Sequence, residues 1–302
     1  MSKKSRIIHQ ALNNLQKQTR YGQSKHLAKE KAREEAKKKD ERIREVKGIY
    51  STNTYKSYSK VCKQFIQNTL KAHPDVKTFD DCRPYVEEFL ESKKEKDVSA
   101  WTLHQYGSAL ASAYNCSKKD FNFEYPERSR ANIMRCRNEH SSDYRYPEER
   151  WDEVKMLLRA TGCRRTEALR LRKEDFREGN DGNLEVFKRG KNNIERWCLV
   201  NPMYTEEVKE FLSKKSTHRI NNEDRLLLKS ELPRGSIHDL RADYAKDLYQ
   251  YYENRGDVAT GKKYYCRKEL IGKEYDKGIL QKVSYNLQHS RNNVVISYLW
   301  KM

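Results

Sequence analysis

Six residues suited to charge and proton transfer follow one another through the second half of this chain. They are, in order, Arg164, Lys191, His238, Arg241, His289 and Tyr298. His238 and Arg241 stand one helical turn apart, so they share one side of a helix if the segment is helical. Tyr298 comes soon after His289, across a short polar turn and an apolar run.

This set of side chains meets the needs of a phenol that attacks a phosphodiester. Two arginines suit the non-bridging phosphate oxygens, because the guanidinium fork is planar, always charged and bidentate. A lysine or histidine can donate the proton that the departing 5′ oxygen requires. The ordinary pKa of a phenol is about 10, so a nearby base or a strong positive field helps it to ionise. Such a site needs no metal ion, because its cations are side chains.

Each residue taken singly has a structural alternative. Arg164 can be a solvated arginine in a helix connection, and Lys191 one more basic loop residue among 63 lysines and arginines. His289 can be a hydrogen-bonded structural histidine, and Tyr298 one half-buried tyrosine among 20. The ordered set is therefore more specific than any of its members.

The overall charge points to a polyanionic partner. The chain has 302 residues and a formal net charge of +19, with 36% hydrophobic and 35% charged residues. An excess of this size favours DNA or RNA. A membrane surface is the weaker alternative, because no strongly apolar helix face accompanies the basic runs.

The cysteines predict a reducing compartment. The chain has 7 cysteines, which are scattered, odd in number and without a CxxC pair. This pattern favours free thiols in a cytoplasmic protein over disulfides or a zinc site. We recognise no signal peptide in MSKKSRIIHQ and no segment apolar enough to span a membrane.

The elements around these residues form a predicted α+β domain over residues 148–302. One helix stops at Gly162, a second starts with CRRTEALRL, and residues 184–200 alternate as a β-hairpin with Lys191 at its tip. His238 and Arg241 begin a longer helix, and residues 254–280 read as a long loop or insertion. We expect Asn292 or Asn293 to cap a last helix that places Tyr298 beside a buried stripe.

The first half of the chain predicts a mainly helical DNA-binding region. Residues 1–47 are a basic, charged arm, for which a solvated helix or flexible tail is the alternative. Residues 48–125 form a small helical domain, and 126–147 a linker. Lys56, Lys60 and Lys63 face outward on its first helix and are candidate DNA contacts. A helical protein-interaction domain is the alternative for this region.

The second half resembles the catalytic domain of the tyrosine recombinase (phage integrase) family. ATGCRRTEALRL is similar to the first-arginine box, with Arg164 as the arginine and Glu167 as its acidic residue. GKNNIERWCLV resembles the hairpin that carries the family lysine, here Lys191. HDLR matches the His-x-x-Arg box, and LQHS with Tyr298 matches the last histidine and the nucleophile. Residues 48–125 resemble the core-binding domain more loosely.

The resemblance implies site-specific strand exchange on double-stranded DNA. Tyr298 would form a 3′-phosphotyrosine link, Arg164 and Arg241 would hold the phosphate, and Lys191 would protonate the leaving oxygen. His238 would take or shuttle the phenol proton, and His289 would hydrogen-bond the phosphate. No cofactor is implied, since the protein–DNA ester keeps the bond energy. The family forms a C-shaped clamp and works as a homo-tetramer on two DNA sites, with an accessory directionality factor as a further expected partner.

This chain departs from the family pattern in two places. Residues 254–280 lengthen the span between His238 and His289, and only four residues follow Tyr298, where many relatives have a helix that docks on a neighbouring subunit. We expect an integrase or transposase of a mobile element. The alternatives are a type IB topoisomerase-like enzyme that relaxes DNA and, from another class, an inactive DNA-binding regulator.

Overall fold

The computed structural model describes residues 2–39, 46–129, 143, 145–190 and 194–299. The chain divides into two compact units, Met1–Met134 and Arg135–Met302. The division falls inside the predicted linker 126–147. Helices dominate both units and the strands form small antiparallel sheets, so the predicted α+β class is confirmed.

The first unit is helical, and serine side chains cap several of its helices. Ser51 and Ser99 accept hydrogen bonds from the backbone N–H of Thr54 and Thr102, which satisfies donors that a helix start leaves free. The helices are α1 (Lys3–Lys17), α2 (Lys25–Lys38), α3 (Thr52–Ala72), α4 (Val86–Lys94) and α5 (Ala100–Ala113), with a 3-10 helix at Asp80–Tyr85 between α3 and α4.

Helix α1 differs from the predicted arm over residues 1–47. Ile7, Ala11 and Leu15 recur every four residues and are fully buried in the same core as α3 and α5. An apolar stripe at this spacing stabilises a helix by packing, even in a segment of high charge. Helix α2 fits the alternative of a solvated helix, since Ala36 is its one buried residue.

The described part of the second unit combines six α-helices with one three-stranded and two two-stranded sheets. Its helices are α6 (Asp152–Thr161), α7 (Arg165–Ala168), α8 (Thr205–Lys214), α9 (His238–Arg255), α10 (Lys277–Asn286) and α11 (Ile296–Leu299). Its strands are β1 (Phe176–Glu178), β2 (Leu184–Arg189), β3 (Glu195–Leu199), β4 (His218–Ile220), β5 (Glu223–Arg225), β6 (Lys263–Tyr265) and β7 (Glu274–Asp276).

The predicted hairpin over residues 184–200 is confirmed. Strands β2 and β3 pair antiparallel, with Phe187 opposite Trp197 and Arg189 opposite Glu195, and β1 adds to the other edge of β2. The helix predicted from CRRTEALRL is much shorter than its apolar pattern indicated. It ends at Ala168 because the chain turns toward β1, and the Leu171 carbonyl accepts from the Leu226 N–H at 2.8 Å.

The prediction of a long loop over residues 254–280 is wrong in part. Strands β6 and β7 pair there as a further hairpin, with Tyr264 opposite Tyr275. Asp276 then caps α10, since its carboxylate accepts from the N–H groups of Gly278 at 2.7 Å and Ile279 at 3.1 Å. The segment is polar on its surface, and the buried Tyr275 anchors it.

Gly162 joins α6 to the site region in a left-handed conformation, with φ of +60°. A Cβ added there would overlap the ring of Tyr244, a fully buried residue of α9. Close packing of α6 on α9 therefore requires glycine at this position.

Gly162→Ala is expected to lower the free energy of unfolding by about 2–4 kcal/mol, since strain at positive φ adds to overpacking. Gly182→Ala is the matched control, because Gly182 has φ of +75° and open space around its Cα. It should cost about 1 kcal/mol. Urea denaturation measures both losses, and equal losses would contradict a role for packing against Tyr244.

No helix among the described residues is long and apolar enough to cross a membrane. The six cysteines of the described part are free thiols, five of them buried. Cys136 lies outside the described residues.

Candidate active site

Arg164 is held at the start of α7 by Glu167. The Glu167 carboxylate accepts a hydrogen bond from the Arg164 backbone N–H at 2.8 Å and another from the Arg164 guanidinium. Glu167 is almost fully buried, whereas the Arg164 side chain keeps 23% of its surface exposed. The glutamate thus fixes the arginine from inside and leaves part of the guanidinium open to solvent.

Arg241 lies on α9 with only 1% of its surface exposed. One of its terminal nitrogens donates to the Gly162 carbonyl and the other to the Leu287 carbonyl. Its Nη1 also lies 3.7 Å from Oε2 of Glu167, so one carboxylate stands between two guanidiniums. The buried cation is therefore compensated by a carboxylate and by the carbonyls at two helix ends.

His289 and Tyr298 come together at the same guanidinium. His289 Nε2 lies 3.5 Å from Arg241 Nη2, and the Arg241 Cζ lies 5.8 Å from the centre of the Tyr298 ring. The centres of the His289 and Tyr298 rings are 6.0 Å apart. Arg241 is thus the residue that joins the histidine, the phenol and the carboxylate.

Tyr298 is positioned by a turn that differs from the predicted one. A 3-10 helix spans Asn292–Val294 and has no side-chain cap, so capping by Asn292 or Asn293 is wrong. Helix α11 follows, and its Tyr298 N–H donates to the Val295 carbonyl at 2.8 Å. The stripe predicted from Val294 and Val295 is present in part, because Val295 is fully buried and Val294 only half-buried. Leu299 is also fully buried, and Tyr298 is itself only 2% exposed.

His238 is the first residue of α9 and has an exposed side chain. Its backbone N–H donates to the Ser236 hydroxyl at 3.2 Å. His238 and Arg241 lie one turn apart on α9, with His238 exposed and Arg241 buried. That they face the same side of the helix stays a prediction. Lys191, the remaining one of the six predicted residues, lies outside the described residues.

Two buried polar residues next to the site are not among the site residues that the sequence predicts. Lys188 occupies an inward position of β2, where burial alternates along the strand, and it is 1% exposed. Gln288 has a positive φ of 54° and donates from Nε2 to the carbonyls of Lys188 at 2.6 Å and Ile194 at 3.1 Å. The sequence does carry a signal for Lys188, which is a lysine at an inward-facing position of a strand with alternating burial.

Gln288 and Gly190 fit together at the base of the hairpin. The Gly190 N–H donates to the Ile194 carbonyl at 2.9 Å, and a Cβ on Gly190 would overlap the Gln288 amide. Gly190→Ala and Gln288→Ser should each cost about 1–3 kcal/mol of unfolding free energy, through overpacking and lost hydrogen bonds respectively.

The double variant should cost less than the sum of the two, by about 0.5–3 kcal/mol, because the shorter serine removes the overlap. Urea denaturation of the four proteins measures this coupling. Additive losses would show that the two side chains do not meet.

The site has the electrostatics of an anion receptor. Arg164 and Arg241 both contact one buried carboxylate, Glu167, and the buried Lys188 lies at the same two helix ends as Arg241. Burial raises the pKa of the neighbouring Cys163 thiol to about 11, and the charges of Lys188 and Arg241 oppose that rise. An excess of fixed positive charge in a shielded site favours a phosphate group.

The candidate DNA contacts lie in the other unit. Lys56, Lys60 and Lys63 have exposed side chains on α3, opposite the buried Cys62 and Phe65. Their spacing puts them along one side of the helix. That outward orientation matches the expectation, and their contact with DNA stays a prediction.

Comparison with known proteins gives only distant structural likeness. No family model and no curated protein matches the chain. XerH site-specific recombinase bound to difH substrate is 17% identical, with 81% of this chain and 76% of that chain covered at a TM-score of 0.47. The post-cleavage complex of XerH with palindromic difH is 14% identical, with 99% of this chain and 92% of that chain covered at a TM-score of 0.49. The Tn1549 transposon integrase in complex with circular intermediate DNA is 14% identical, with 79% of this chain and 94% of that chain covered at a TM-score of 0.38.

With TM-scores of 0.49 or less, these likenesses establish neither family nor activity. The functional conclusion rests instead on the motifs of the chain and on the contacts among their residues.

Proposed function

We propose that this chain is a tyrosine-type site-specific DNA recombinase, the integrase or transposase of a mobile element. One observation carries the proposal: the Arg241 guanidinium lies 3.7 Å from Glu167, 3.5 Å from His289 and 5.8 Å from the Tyr298 ring. The sequence selects these residues by motif and order alone. Their meeting at one buried cation is independent support.

In the proposed reaction, the Tyr298 hydroxyl attacks the phosphorus of the scissile phosphate. A 3′-phosphotyrosine bond forms, the bond to the 5′ oxygen breaks, and the phenol proton passes to His238. Lys191 gives a proton to the departing 5′ oxygen. Arg164 and Arg241 stabilise the non-bridging oxygens, where charge grows in the transition state, and His289 hydrogen-bonds the same phosphate.

Strand exchange is completed when the 5′ hydroxyl of a second DNA strand attacks the phosphotyrosine. That step releases Tyr298 and restores a phosphodiester, so the number of ester bonds is unchanged. The Tyr298 side chain is only 2% exposed. Binding of the scissile phosphate must therefore be accompanied by movement that uncovers the phenol.

Double-stranded DNA is the proposed partner, since the net charge is +19 and the site is cationic. Exposed lysines such as Lys56, Lys60 and Lys63 would neutralise backbone phosphates, which makes affinity strongly dependent on salt. The C-shaped clamp, the tetramer on two DNA sites and the accessory directionality factor belong to this proposal by family resemblance.

Covalent trapping tests the proposed chemistry. The protein is incubated with nicked duplexes tiled across the DNA that flanks its own gene. The nick lets the short 5′-hydroxyl strand diffuse away, so that any phosphotyrosine intermediate accumulates and appears on a denaturing gel. We expect an adduct at a defined sequence, with or without EDTA, and a DNA-linked peptide that contains Tyr298.

A second assay separates recombination from relaxation. Two labelled duplexes that carry the trapped site should yield exchanged strands, whereas a type IB topoisomerase would relax supercoiled plasmid without this site. Tight DNA binding without any adduct would contradict the proposed enzyme activity and favour an inactive DNA-binding regulator.

A further inference from the structure

Lys188 is a buried cation whose partners are backbone carbonyls. Its ammonium donates to the Thr161 carbonyl and, at 2.9 Å, to the Asn286 carbonyl. It also lies 4.8 Å from the centre of the Tyr244 ring. Within the described part of the chain, no carboxylate forms an ion pair with it. The ammonium is therefore held by two helix ends and an aromatic ring.

The next carbonyl along each of these segments holds Arg241. Thr161 and Gly162 stand at the end of α6, and the Gly162 carbonyl accepts from Arg241 Nη1. Likewise, Asn286 and Leu287 stand at the end of α10, and the Leu287 carbonyl accepts from Arg241 Nη2. Two cations thus bridge the same two helix ends through consecutive carbonyls.

Helix ends explain why cations are placed here. The last carbonyls of a helix have no partner within the helix and carry partial negative charge, so two facing C-termini repel each other. Lys188 and Arg241 share the work of satisfying them. If Lys188 were apolar, the Thr161 and Asn286 carbonyls would lose a buried donor, and the separation of α6 and α10 would relax.

We propose that Lys188 is a positioning residue for Arg241, which fixes the two carbonyls that orient the guanidinium toward the scissile phosphate. The inference rests on the proposed function. Misplacement of a reacting or stabilising group by about 1 Å can lower a rate by about 100-fold, so a change confined to these carbonyls should have a large kinetic effect.

The test compares Lys188→Met with wild type on two forms of the trapped duplex. One has an ordinary scissile phosphate, and the other has a methylphosphonate, in which a methyl group replaces a charged non-bridging oxygen. A guanidinium that stabilises that charge matters less on the neutral linkage. Lys282→Met removes the same charge from an exposed position on α10 and serves as the control.

We expect Lys188→Met to slow adduct formation by about 100-fold on the phosphodiester and by less than about 10-fold on the methylphosphonate. Lys282→Met should remain close to wild type on both. An equal loss on the two linkages would overturn the inference and indicate a structural role alone. An unchanged rate would also overturn it.

A second variant covers loss of folding. If Lys188→Met does not unfold cooperatively in urea, Lys188→Gln takes its place, because the amide keeps a donor without the charge. The same difference between the two linkages is expected of it. Wild type that forms no adduct on either duplex overturns the proposed function, and with it this inference. Wild-type adduct with no difference between the linkages for the variants overturns the inference alone.

Discussion

Tyr298→Phe is expected to abolish the covalent protein–DNA adduct while leaving DNA affinity within about a factor of three of wild type. Phenylalanine keeps the ring that packs beside Val295 and Leu299, since Tyr298 is 2% exposed. It removes only the oxygen that would bond to phosphorus, and a phenylalanine ring cannot form a phosphotyrosine. A denaturing gel measures the adduct, and fluorescence anisotropy measures binding.

Tyr285→Phe is the matched control, because Tyr285 belongs to the same unit and has 48% of its surface exposed. Its adduct should form at the wild-type rate. An adduct that survives in Tyr298→Phe would place the nucleophile on another of the 20 tyrosines. It would not by itself remove the case for phosphotyrosine chemistry.

Arg241→Lys is expected to lower the rate of DNA cleavage by about 100-fold or more, with less than about a threefold change in affinity. Lysine keeps the charge but not the planar fork, and the fork is used here to reach the Gly162 and Leu287 carbonyls at once. A single ammonium cannot satisfy both carbonyls and also face a phosphate in a fixed orientation.

Single-turnover cleavage of the nicked duplex gives the rate for Arg241→Lys, and urea denaturation shows whether the variant folds. Arg196→Lys is the control, since Arg196 lies on β3 and stacks 4.5 Å from the centre of the Tyr285 ring. Parallel losses of cleavage and affinity in Arg241→Lys would argue that the residue only binds DNA.

The local sequence pattern predicts those parts of the site that are formed by residues close together in the chain. The alternation over residues 184–200 is sufficient to predict a hairpin, and the apolar pattern after residue 238 to predict the helix that holds His238 and Arg241. The proximity of Arg164, Arg241, His289 and Tyr298 depends on tertiary packing. No periodicity in the chain specifies which helix ends meet. Only the family resemblance therefore predicts this proximity.

The features that sequence reasoning missed depend on partners distant in the chain. Helix α1 is charged overall, and only its packing on α3 shows that Ile7 and Leu15 belong to a core. Lys188 reads as one more basic residue because its acceptors, Thr161 and Asn286, belong to other elements. Lys188 breaks the rule that inward strand positions are apolar, and such violations gather at functional sites.

Four consecutive residues, 286–289, all contact residues of the site or of the hairpin beside it. Asn286 and Leu287 offer carbonyls to Lys188 and Arg241, Gln288 grips both hairpin strands, and His289 approaches Arg241. These contacts work as a reading frame. Insertion or deletion of a single residue would shift all of these contacts to neighbouring residues at once, whereas a substitution changes one of them at a time.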